Sequence, residues 1–148
     1  MNVSPKEMAF SLSEAHEIQA DVCHAVVRHR DQLLTVILRC SHEEALALPP
    51  EFAAEIDHSS VVRFEANLPQ DDSESGFFPT DDPSVILADG QIQHHLEIDP
   101  DYVLFDVYTQ SGPEYFTVTS EDLEGTVPAV GSRLRVWLLG LSIYPTKT

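Results

Sequence analysis

Basic side chains are scarce in this sequence. Eight lysines and arginines stand against 25 aspartates and glutamates, a formal net charge of −17. Holding phosphates takes a basic patch, so a surface this acidic repels nucleic acid and anionic lipid. That argues against a direct reader of DNA or RNA and favours a partner with a basic surface. Solubility is the other use of such charge. Long apolar runs are also missing: there is no stretch of 18 apolar residues, so no membrane span is expected. The first twenty residues carry acids and no long apolar core, unlike a secretory signal. Cysteine is limited to Cys23 and Cys40. With no signal and so few thiols, a reducing cytoplasm is the expected compartment. No Gly-x-Ser-x-Gly, P-loop or His-Glu-x-x-His occurs, so no catalytic residue, metal or cofactor is assigned.

What is present suits a core. Of 148 residues, 43% are hydrophobic. A chain of this length buries roughly 70% of its unfolded surface without needing a metal or a disulfide. The expected fold is α+β and mainly antiparallel β: an N-terminal helix, then two similar hairpin–short helix–strand units forming small barrel-like or sheet halves.

Ser11-Leu12-Ser13-Glu14 has the form of a capping box, and Ser4-Pro5-Lys6-Glu7 repeats it. Leu12, Ala15, Ile18 and Val22 follow at helical spacing, so a helix is expected over residues 12–20. Cys23 to Cys40 reads as a β-hairpin. With Asp31-Gln32 as its loop, Val27 faces Val36, Ala25 faces Leu38, and Cys23 faces Cys40. The face holding Cys23, Ala25, Val27, His29, Leu34, Val36, Leu38 and Cys40 is nearly all apolar. A one-residue slip would scramble it. Residues 49–56 read as a short helix and 59–69 as a strand.

The second half follows a similar order. Strands flank the turn Asp99-Pro100-Asp101, PEYFTV is another, and SEDLEG is a helical turn capped by Ser120. GSRLRVWLLGLSIY is the closing strand. Leu34, Val36 and Leu38 align with Val103, Phe105 and Val107 at an offset that drifts little further on, which fits a duplicated unit. The expected organisation is a helical segment over 1–22, β-rich units over 23–69 and 91–148, and an acidic linker over 70–90. One compact domain is the alternative.

That linker holds the first candidate site. Phe77 and Phe78 sit among Asp71, Asp72, Glu74, Asp81 and Asp82. A solvated strap gains nothing from exposing two phenylalanines. They either tuck into the core or anchor a docking segment for a partner. A second candidate is the set Arg28, Arg30 and Arg39, which the hairpin puts on one face as an anion-facing patch or a seat for the strap. Cys23 and Cys40 read as two small buried apolar residues, with a cross-strand disulfide as the alternative. His24 should point away from Cys23, because neighbours on a strand alternate, so a zinc site there strains the register. Asp106, Glu114 and Glu121 lie near apolar strands without a partner identifiable from sequence.

Two resemblances are local. Asp71-x-Ser73-x-x-Gly76 resembles the second motif of PilZ domains, but the R-x-x-x-R pair that would grip a cyclic dinucleotide is absent. Residues 102–142 are similar in strand order to a small oligonucleotide/oligosaccharide-binding barrel, which implies a closed β-barrel in that region. The functional expectation is a non-enzymatic acidic binding protein of inhibitor or immunity type, recognising a basic protein. Electrostatic steering would speed that capture. A secretion-chaperone-like protein, and a small ligand-binding barrel or carboxylate enzyme, are the alternatives.

Overall fold

A computed structural model of the chain describes residues 7–69, 75–100, 102–109 and 114–146. The protein is mainly β and forms two sheets. In chain order the elements are β1 (Glu7–Gln19), β2 (Val22–His29), β3 (Gln32–Leu38), α1 (His42–Leu46), β4 (Phe52–Asp57) and β5 (Ser60–Leu68). There follow β6 (Gly76–Pro79), β7 (Val85–Asp99), β8 (Tyr102–Tyr108), β9 (Tyr115–Thr119), β10 (Arg133–Leu139) and β11 (Ser142–Pro145). The first sheet closes on itself as a five-stranded barrel in the order β1-β2-β3-β11-β4. Strand β11 runs parallel to β3 and antiparallel to β4, so the barrel is mixed. The second sheet runs β5-β10-β7-β8-β9, with β6 also pairing β7. The whole second sheet is therefore inserted between the barrel's fourth and fifth strands.

A closed barrel is the architecture expected for residues 102–142, but other strands build it: the first four and the last. Residues 102–142 mostly supply the second sheet. Within 70–90, β6 and the start of β7 are strands.

The expected N-terminal helix is absent. Residues 7–19 are strand, bonded to β4 through Glu7–Phe10 and to β2 through Ser11–Gln19. Met8 and Phe10 alternate into the barrel, while Ile18, a supposed core position, is 55% exposed. Sheet pairing on both sides overrides a local helical signal. The capping box exists elsewhere. Ser41 Oγ accepts from Glu44 N at 3.1 Å, and Glu44 Oε1 accepts from Ser41 N at 3.1 Å, opening α1. The short helix expected at 49–56 is strand β4, with Phe52 and Ala54 turned inward.

The first hairpin forms with its apolar face as expected, but two residues out of register. Cys23 pairs with Leu38 and His29 with Gln32, so the turn is Arg30-Asp31. Arg30 takes the left-handed conformation the tight turn requires, φ +56°. A two-residue slip conserves parity, which is why the same side chains stay buried. Both cysteines are free. Cys23 Sγ donates to Cys40 O at 3.5 Å.

Aromatic rings join the two sheets. Phe52, Phe10 and His29 in the barrel follow one another at 6.1 and 5.1 Å between ring centroids. His29 then meets Phe77 at 5.8 Å, and Phe77 meets Phe116 of β9 at 5.5 Å. Burying each phenylalanine is worth roughly 1.5–3 kcal/mol. The chain returns to the barrel at Gly140, whose φ is +66° and where a Cβ would come within 2.7 Å of Ser59 Oγ. Only glycine fits that corner without displacing Ser59. This corner splits the expected closing strand into β10 and β11. Among the described residues no helix is long and apolar enough to cross a membrane.

Candidate functional site

Strand β6 divides the two phenylalanines of the acidic stretch. Phe77 pairs with Ala88 and points into the core, 3% exposed, while Phe78 pairs with Leu87 and is half-buried on the other face. Asp81 and Asp82 are exposed. Asp82 serves its own turn: its Oδ1 accepts from Ser84 N at 2.9 Å and from Ser84 Oγ at 2.7 Å. Those two bonds lower its pKa. Asp71, Asp72 and Glu74 lie outside the described residues.

The three arginines of the hairpin go separate ways. Arg28 is exposed on β2. Arg30 reaches the second sheet, pairing with the Glu114 carboxylate and donating to Thr109 Oγ1 at 3.5 Å. Arg39 donates to Ser142 Oγ at 3.3 Å. Of the three acids noted beside apolar strands, Glu114 is thus Arg30's partner, and Asp106 accepts from Thr117 Oγ1 at 3.2 Å.

Sequence reasoning missed a buried charge cluster on the second sheet. Asp89 of β7 faces β10, where Arg133 Nε donates to Oδ1 at 2.7 Å and Arg133 Nη2 to Oδ2 at 3.1 Å. Arg135 Nε donates to Oδ2 at 3.0 Å. Arg133 and Asp89 are both almost fully buried. The row continues along the same face, where Arg63 lies over the Trp137 ring at 4.3 Å and donates to Glu65 Oε2 at 3.1 Å. A buried pair this well bonded satisfies itself and offers no free valence to a ligand, so its role is structural.

The third acid, Glu121, lines an open groove of about 490 Å³ between barrel and second sheet. Glu55 and Asp57 of β4 and Tyr144 of β11 form one wall. Tyr102, Thr117, Thr119, Glu121 and Asp122 form the other. Thr119 and Asp122 fix the turn after β9 reciprocally. Thr119 N donates to Asp122 Oδ2 at 2.9 Å, and Asp122 N donates to Thr119 Oγ1 at 3.2 Å. Thr119, not Ser120, therefore caps the turn. Ser120 is buried and its Oγ accepts from Val103 N at 3.0 Å. His58 closes one end, with Nε2 3.6 Å from Asp122 Oδ2.

Chemically, the groove presents four carboxylates and two tyrosine rings. Carboxylates at an open cleft raise the local concentration of cations, and tyrosine faces attract guanidinium or ammonium groups. Among the described residues no three His, Cys, Asp or Glu side chains are placed to hold a metal ion. No short motif links residues 55–57, 102, 119–122 and 144, so only the fold could bring them together. Compared with known proteins, the chain matches no protein-family model, no curated protein and no solved structure.

Proposed function

We propose that this protein is a non-enzymatic binding protein of inhibitor or immunity type, and that the acidic groove between the barrel and β9 receives a basic protein partner. One observation carries the reading: Glu55, Asp57, Glu121 and Asp122 surround a single open groove whose described lining includes no arginine or lysine. The protein's few arginines are used elsewhere. Arg30 pairs with Glu114, Arg63 with Glu65, and Arg133 and Arg135 share Asp89. Apart from His58 beside Asp122, and Arg63 in an adjoining pocket with Glu121 and Asp122, no basic side chain among the described lining faces these acids, and a cationic surface supplies what they lack. The barrel interior is filled by Met8, Phe10, Val27, Leu34, Leu38 and Ile143, all essentially inaccessible, which favours an outer surface over a lumen as the binding region.

The test compares the wild type with the fourfold variant Glu55→Gln, Asp57→Asn, Glu121→Gln, Asp122→Asn. Each change keeps shape and removes charge. Proteins are recovered from native lysate on each, and association is then timed for the recovered wild-type partner. The expected result is a basic partner whose association slows steeply between about 50 and 500 mM salt, as the Debye length falls from roughly 14 to 4 Å. The folded variant should associate at least about tenfold more slowly at low salt. Recovery of only neutral or acidic proteins overturns the reading. So does a rate indifferent to salt and to the four substitutions.

A further inference from the structure

The second sheet ends on one side at β5 and on the other at β9. An unpaired edge is a row of backbone donors and acceptors, and proteins usually blunt it with charge, proline or bulges. The β5 edge is blunted in this way. It carries Arg63 and Glu65, and its register with β10 shifts twice. The β9 edge is not. Its sequence, Tyr115-Phe116-Thr117-Val118-Thr119, has no charge and no proline. Its pairing with β8 runs without a shift from Tyr108–Tyr115 to Leu104–Thr119. Among the described residues no other strand pairs with β9, and its Phe116, Thr117 and Thr119 line the acidic groove.

From these observations we infer that β9 binds an extended basic segment of the partner by strand addition, with the groove carboxylates taking the segment's cations. The inference rests on the proposed function and specifies its mode. Backbone pairing with β9 supplies register, and alternate side chains of the incoming strand supply selectivity. The five residues of β9 span about 17 Å, at roughly 3.3 Å per residue. Cations at every second position of the guest would then recur every ~6.6 Å along the groove. One end would meet Glu121 and Asp122, and the facing wall offers Glu55 and Asp57. The same acids discourage the unblunted edge from pairing with a second copy of this chain, because two acidic flanks repel. The edge is left open to basic strands and closed to its own kind.

The probe is an eight-residue peptide alternating arginine and valine, titrated by fluorescence anisotropy at about 50 mM salt. Two twins carry N-methyl groups, on the valines in one and on the arginines in the other. Each twin keeps the charge and removes the backbone donors of one edge. The expected result is binding of the parent, a loss of at least about tenfold for one twin, and slowed hydrogen exchange of the Tyr115 and Thr117 amides, which face away from β8, in the complex. Equal binding of parent and both twins overturns strand addition while leaving capture by charge standing. Absence of parent binding, or equal binding to the fourfold acid variant, overturns both the inference and the groove as the partner's seat.

Discussion

His29 of β2 turns its Nε2 toward Glu114, 3.9 Å from Oε1, across the join between the barrel and the second sheet. Its Nδ1 bonds Ala9 O at 2.9 Å, which places the ring hydrogen there and leaves Nε2 as a bare lone pair. Phe10 and Phe77 flank the ring, and among the described residues Nε2 has no hydrogen-bond partner. Arg30 holds the same glutamate. Burial lowers the His29 pKa. The Ala9 bond and Glu114 oppose that shift, and Arg30 adds to it.

His29 makes stability depend on pH. Its pKa in the unfolded chain is about 6.5, and the folded value lies lower, so the fold prefers the neutral ring. The stability this contributes is fully present above about pH 6.5 and is lost as pH falls through the folded value. Urea unfolding between about pH 8 and 5 should show His29→Gln with a shallower decline than the wild type. Parallel declines would show that His29 does not titrate on unfolding.

Phe77 and Phe78 should differ sharply. Phe77→Ala removes the ring between His29 and Phe116 and should cost about 3–5 kcal/mol. Phe78→Ala, on the half-buried face, should cost about 1 kcal/mol. Denaturant midpoints of the two single variants measure the difference, and equal losses would contradict the inward placement of Phe77 alone.

Asp89→Asn strips the buried Arg133 and its neighbour Arg135 of their shared carboxylate. The expected destabilisation is about 3–5 kcal/mol, because one charge of a buried pair is left behind. Replacing both partners together, Asp89→Leu with Arg133→Met, should recover much of that loss. A double variant as weak as the single would mean the pair contributes net stability beyond satisfying itself.

The cysteines should resist alkylation in the folded state. Burial pushes the Cys40 thiol up to about 11, helped by Cys23 and Glu44, and burial also raises Cys23. The thiolate is the reacting form. Iodoacetamide near pH 8 should leave both thiols unmodified in the native protein and label both in urea, read as intact mass. Rapid native labelling would place either thiol at the surface.

The sequence by itself determined what local chemistry can determine. Alternation along residues 23–40 identified the buried face of the first hairpin, and the turn at Asp99–Asp101 located the β7–β8 connection. The strand at 59–69 and most of β9, read as PEYFTV, were legible from their branched and aromatic residues. Composition alone made the molecule acidic. Tertiary structure decided the rest. Ser11–Glu14 and Ser41–Glu44 have the same pattern, yet only the second caps a helix, because residues 7–19 gain hydrogen bonds from strands on both sides. Hairpin parity is local, but register depended on Arg30 accepting a positive φ. The exchange of β11 into the barrel is a pairing between residues about a hundred positions apart, and no local preference encodes it. The groove follows from that exchange. Its carboxylates are ordinary surface acids in sequence, and they become neighbours only because an inserted sheet folds back against the barrel that its own flanking strands close.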